Sequence, residues 1–153
     1  MRQGILLFLS LAMFCHCAKD DSLSPEDQLK KDDGIIQDYL TVHKLTATKT
    51  ASGLYYIITN PGSGSNPTVN NVVTVYYQGY FTDNTVFDQT VFGTPATFPL
   101  KSVIKGWQEG IPLIKKGGEV KLLIPSYLGY GNSPPGGIPE NAVLIFDVQL
   151  LSF

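Results

Sequence analysis

Alternation of apolar and polar residues with period two, interrupted by turns and repeated along the chain, most constrains how this sequence can fold. The clearest run is NVVTVYYQGYF at 71–81, where Val73, Val75 and Tyr77 alternate with Val72, Thr74 and Tyr76. Successive side chains of a strand point to opposite faces, so such a run builds a sheet with two distinct sides. GLYYIIT at 53–59, GEVKLLIP at 118–125 and AVLIFDVQLLSF at 142–153 read the same way. In the last of these, Ala142, Leu144, Phe146, Val148 and Leu150 share a face. TVFDQT follows the turn TDN and continues the pattern. One segment between the strands breaks it. In VIKGWQEGIPLI, residues Ile104, Trp107 and Ile111 fall at helical spacing, and Gly110 and Pro112 limit the length. The implied class is α+β: antiparallel strands wrapped around one short helix, with a helical extension at the N-terminus. A twisted sheet on a single helix needs a large residue in its concavity. Trp107, the only Trp, fills that role or serves as a platform for a flat apolar ligand.

The N-terminal third is of another kind. Arg2 followed by ILLFLSLAMF at 5–14 has the charge and the short apolar run of a signal peptide, and is too short to span a bilayer. CHC follows, then the acidic AKDD. That order resembles the processing site of bacterial lipoproteins, in which the first mature cysteine carries the lipid. It implies residues 1–16 as signal peptide and Cys17 as the lipidated residue, with Cys15 the other choice. It further implies export to the periplasm, outer membrane or cell surface, with a lipid anchor in the membrane. Residues 17–33 read as an acidic tether, and 34–50 as a helix and linker leading into a domain at 51–153. Within the tether, SPED at 24–27 has a helix start, with Ser24 as cap and Pro25 in the first turn. IIQDYLTVHKL then puts Ile35, Ile36, Tyr39 and Leu40 on one side, and Gly34 weakens continuity between the two helical stretches. That helix can pack on the sheet, pair with a second copy or act as a stalk, so the oligomeric state stays open.

The side-chain inventory excludes most chemistry. Residues 51–153 contain no His and no Cys, so nucleophilic pairs are absent there. A lone His43 outside that span cannot assemble a metal centre. Arg2 is the only Arg, so the mature chain has none, and no basic patch or guanidinium clamp exists for phosphate or nucleic acid. The acids Asp83, Asp88, Glu109, Glu119, Glu140 and Asp147 are scattered. No cofactor is implied.

Four stretches occur in order with short spacers: VFDQT, VIKGWQEGI, KKGGEVKLLIPSYLGYG and GGIPENAVLIFDVQLL. Together they resemble the FKBP-type peptidyl-prolyl isomerases over residues 51–153, and the lead-in ATKTASGLYYIITNPGSG is similar to the macrophage-infectivity type of that family. The resemblance implies an antiparallel half-barrel around a short helix, with proline-containing polypeptides as clients and macrolides such as rapamycin as possible ligands. It also implies a site. Asp88, Tyr130 and Trp107 take the catalytic positions, Tyr130 through its hydroxyl and Trp107 as the floor. Tyr77, Phe87, Val103, Ile104, Ile138 and Phe146 take the substrate-binding positions, the Ile104 N–H holding a substrate carbonyl. Two departures stand out. Ala96 occupies a place where familiar members carry an aromatic, which predicts a cavity more open on that side, with Phe92 the nearest residue to fill it. No basic residue follows Phe87–Asp88 closely, which leaves Asp88 without a cation. Two readings therefore remain beside isomerase activity: a peptide-binding chaperone module with little or no turnover, and a purely structural lipoprotein.

Overall fold

A computed structural model describes residues 23–153; the segment expected to be a signal peptide, with Cys15 and Cys17, lies outside the described residues. Helix α1 (Pro25–Val42) leads into seven strands: β1 (Thr48–Lys49), β2 (Tyr55–Asn60), β3 (Val72–Tyr80), β4 (Val86–Gln89), β5 (Ala96–Pro99), β6 (Glu119–Ile124) and β7 (Leu144–Ser152). Helix α2 (Lys105–Gly110) lies between β5 and β6. The strands make one antiparallel sheet in the order β1-β2-β6-β7-β3-β4. The first half of β3 pairs with β5 (Val72 opposite Pro99, Val75 opposite Ala96), and its second half pairs with β4 (Gln78 opposite Gln89). One edge of β3 is thus shared by two short strands, and residues 90–95 leave the sheet between them. The expected strands are present. β1 and β5 are additions that no alternation announced.

The sheet has a core on each side. On the concave side Val73, Val75, Leu122, Leu144, Phe146, Val148 and Leu150 pack around Trp107 and Ile111. This is the face that the alternation in 142–153 assigns to Leu144 through Leu150. On the convex side Tyr55, Tyr80, Leu123 and Ile145 pack against Ile36, Tyr39 and Leu40 of α1. So β7 serves both layers: its inner residues join the Trp107 core, and Ile145 on its outer face joins the layer under α1, while Asp147 farther along that face is exposed.

Helix α1 differs from the expectation at Gly34. It runs unbroken for 18 residues from its cap, where the Asp27 N–H donates to Ser24 Oγ at 3.1 Å. A mid-helix glycine costs only about 0.5–1 kcal/mol, and the helix buries Asp32, Ile36, Tyr39 and Leu40 in one stripe. Tertiary burial therefore outweighs local propensity. For the same reason residues 25–33 form helix and not tether: Asp32 is fully buried and Asp33 pairs with Lys49 at 2.5 Å. Packing against the sheet is the role that the structure gives this helix. None of the described helices is long and apolar enough to cross a membrane.

Helix α2 lies close to β6, and its glycines are the cause. A Cβ on Gly106 would fall 2.6 Å from Ile124 Cγ2, and one on Gly110 would fall 2.5 Å from Leu122 Cδ2. Both neighbours are fully buried and have nowhere to move. The glycines beside Trp107 thus let the helix backbone approach the sheet, so that the indole, and not the helix, fills the hollow. Gly106→Ala should overpack this contact and lower the unfolding free energy by about 1–3 kcal/mol, read from urea denaturation with an unchanged m-value.

Candidate functional site

The concave side opens to solvent at one end of the sheet, beside α2. There Tyr77, Asp88, Phe98, Ser102, Val103, Ile104, Trp107, Tyr130 and Phe146 line a cavity of about 310 Å³. Trp107 forms its floor and is 4% exposed. Three rings meet the indole nearly at right angles: Tyr77 at 5.2 Å, Phe146 at 5.3 Å and Phe98 at 6.0 Å between centroids. Edge-to-face contact of this kind sets the positive rim of one ring against the negative face of another and holds the walls rigid. The indole Nε1–H is buried with no acceptor among the described residues. What Trp107 offers the cavity is therefore its ring surface and not a hydrogen bond.

Polar groups are few. Tyr77 donates its hydroxyl to Asp88 Oδ2 at 2.7 Å, and this tyrosine takes the place of the cation that Asp88 lacks in the sequence. No ion pair among the described residues includes Asp88. The Ile104 N–H stands just ahead of α2, with the Ile104 carbonyl already accepting from Trp107 and Gln108. Neither that N–H nor the Tyr130 hydroxyl has a hydrogen-bond partner among the described residues. Two unpaired donors therefore border an apolar hollow. Burial, and then the hydrogen bond to Asp88, push the Tyr77 hydroxyl above the ordinary tyrosine range. Burial, and then the charge of Asp88, do the same for Tyr130. Both remain protonated donors at neutral pH.

Seven of the nine residues expected at the site line this cavity. Phe87 and Ile138 line an adjoining depression with Phe81, Pro135, Gly136 and Gly137, which shares Asp88 and Tyr130 with the first. Phe87 acts through Phe146, meeting it edge to face at 5.5 Å. Gly79 keeps that contact possible, since a Cβ there would fall 2.7 Å from Phe146 and 2.8 Å from Phe87. Two expectations about the Ala96 side need correction. Phe98, two residues along the same face of β5, supplies an aromatic wall, and Phe92 does not fill the space because it is 99% exposed at the tip of the loop after β4. Phe98 and Ser102 went unpredicted. The one usable signal was ATFP preceding VIKGW, with an aromatic at the spacing of an inward-facing strand residue.

Two depressions are larger. One of about 510 Å³ on the outer face is lined by Phe92, Tyr76, Glu119, Lys121 and Asp147. Another, of about 620 Å³, lies between the start of α1 and the loop 131–141. Neither contains the indole or the two unpaired donors, so volume alone does not identify the site.

Comparison with known proteins agrees with this geometry. Residues 63–151 match the family model for FKBP-type peptidyl-prolyl cis-trans isomerase. The chain is 44% identical over 138 residues to an FKBP-type peptidyl-prolyl cis-trans isomerase FkpA of Aeromonas hydrophila, covering 88% of this chain and 50% of that one. It is 47% identical over 118 residues to the peptidyl-prolyl cis-trans isomerase Mip of Coxiella burnetii, covering 74% and 51%. The crystal structure of FkpA from Escherichia coli superposes with a TM-score of 0.72 at 36% identity, over 83% of this chain and 63% of that one. The chain thus spans about half the length of the curated relatives it matches.

The hydroxyls give a test of the site's environment. Tyr77, Tyr80, Tyr127 and Tyr130 are all raised, burial being the first cause in each. A raised tyrosine favours the neutral form in the folded state, so its stabilisation is present below about pH 10 and is lost as pH climbs beyond it. Alkaline titration by tyrosinate absorbance should show a late-ionising group in the folded protein. In the denatured chain all eight tyrosines should ionise near pH 10. Tyr77→Phe should shrink the late group.

Proposed function

This chain belongs to the FKBP-type peptidyl-prolyl cis-trans isomerases, and on that footing we propose that it catalyses rotation about X–Pro bonds in polypeptide clients. The observation that carries the reading is the ring-lined cavity over Trp107, open to solvent and bordered by two unpaired donors. The barrier to X–Pro rotation is about 18–20 kcal/mol, because amide resonance is lost in the twisted state. Both isomers are populated and exchange in tens of seconds or longer without a catalyst. The planar amide has a strongly polar carbonyl that water stabilises, and the twisted amide is less polar. A cavity that takes the prolyl ring against Trp107 and excludes water raises the planar form relative to the twisted one. The Ile104 N–H and Tyr130 O–H then hold carbonyls of the client as the bond turns, which is preferential binding of the transition state. Rotation forms and breaks no covalent bond, so the lack of His and Cys in residues 51–153 is no obstacle. The same hollow would take a macrolide such as rapamycin in competition with a client.

The reading includes a location. We propose that the protein is exported and anchored by lipid at Cys17, and assists folding where ATP-driven chaperones are absent. The support is the apolar run, the CHC and the acidic AKDD of the sequence. Cys17→Ser should remove the lipid increment from the intact mass of membrane-extracted protein; persistence of the increment would move the anchor to Cys15.

Proline-limited refolding of a model substrate tests the activity. Substoichiometric protein should accelerate it, Tyr130→Phe and Asp88→Val should each lower the rate about tenfold, the equivalent of one good hydrogen bond, and rapamycin should inhibit. Suppressed aggregation without acceleration would instead mark a holding module.

A further inference from the structure

The structure assigns to Asp32, on the N-terminal helix, the role of positioning Tyr130; this rests on the isomerase reading for its consequence but not for its geometry. Asp32 is fully buried and has no cationic partner among the described residues. Its carboxylate accepts three hydrogen bonds: from the Ser126 N–H at 2.8 Å, from the Ser126 hydroxyl at 2.6 Å and from Gln28 Nε2 at 2.7 Å. Ser126, itself 1% exposed, opens the tight turn Ser126–Leu128 that follows β6. The Ser126 carbonyl accepts from the N–H of Gly129 at 3.0 Å and of Gly131 at 2.9 Å, the two residues on either side of Tyr130. The Gly131 carbonyl in turn accepts from Asn141 at 2.7 Å, closing the loop that carries Ile138. One residue, Ser126, is therefore gripped by α1 through its N–H and hydroxyl and holds the flanks of Tyr130 through its carbonyl.

Attachment of the helix does not explain this carboxylate. Ile36, Tyr39 and Leu40 already secure α1 to the sheet through apolar contact. Burying a carboxylate is costly, and apolar contact alone holds a helix on a sheet without that cost. What a charged acceptor adds is direction: two short bonds to one residue fix where Ser126 sits and which way its carbonyl points. A hydroxyl that must meet a substrate carbonyl at hydrogen-bond distance benefits from such fixing, because small misplacements cost rate. Helix α1 is thus part of the apparatus that aims the Tyr130 hydroxyl. Asp32 touches no substrate and acts only through Ser126.

Two measurements on the full chain test this. The first is amide hydrogen exchange in Asp32→Ala and in the near-isosteric Asp32→Asn. In Asp32→Ala, exchange at Gly129 and Gly131 should rise about tenfold or more, while amides of β7 such as Val148 keep their protection. Asp32→Asn, which retains an acceptor for the Ser126 N–H, should recover most of it. Unchanged exchange at the two glycines, or an equal rise across the sheet, would overturn the assignment, and neither outcome depends on catalysis. The second is a double-mutant cycle on isomerisation of a prolyl peptide, well below the unfolding midpoint of every variant. Asp32→Ala should lower kcat/KM about tenfold alone and add almost nothing in a Tyr130→Phe background. Additive losses would sink the positioning role. A wild-type chain without turnover would count against the isomerase reading and leave the exchange result to decide the geometry.

Discussion

The close approach of α2 to β6, with Gly106 against Ile124 and Gly110 against Leu122, sets the depth at which Trp107 lies. The other rings are arranged around that depth. Tyr77 and Phe146 come from neighbouring strands β3 and β7, and Phe98 from β5 on the far edge of β3. Three separate strands therefore converge on one indole because Gly106 and Gly110 place no side chain between the helix and β6. The cavity is the space that remains when the sheet has curved as far as that helix allows. Its polar border arises from the same segment, since the Ile104 N–H is the donor that α2 leaves unpaired as the chain turns into it.

What marks the site is how little it offers. Water is excluded by ring surfaces, and the two available donors sit at the margin. The Tyr77 hydroxyl is already engaged with Asp88, which keeps that carboxylate oriented without a lysine or arginine. This substitution of a tyrosine for a cation suits a mature chain expected to have no arginine.

Much of this was legible in the sequence. The alternation in 71–81 and 142–153 separated the faces correctly, because inward residues of central strands must be apolar whatever their partners. The site followed from motifs in register, and seven of nine expected residues meet at one cavity. The failures have physical causes. β5 is four residues long and ends in proline, too short for periodicity to show, so alternation does not reveal Phe98 as a wall beside Ala96. Gly34 suggested a break because helix propensity is local, whereas the stripe that overrides it faces strands far along the chain. Asp32 looked like one more acid in a polar stretch; its partner Ser126 is 94 positions away, and no spacing rule reaches that far.

The split pairing along β3 bears on a hazard of every sheet with open borders. An extended client can add itself as a new strand wherever a sheet presents a long unpaired margin. Here the margins are β1, of two residues, with the Ile57–Asn60 stretch of β2 that β1 leaves uncovered, and the pair β4 and β5, of four residues each and separated where residues 90–95 turn away. Pro99 removes a further backbone donor at that rim. Each border is broken into stretches of no more than four residues. Short, interrupted borders of this kind leave little room for a further strand to be stitched into the sheet.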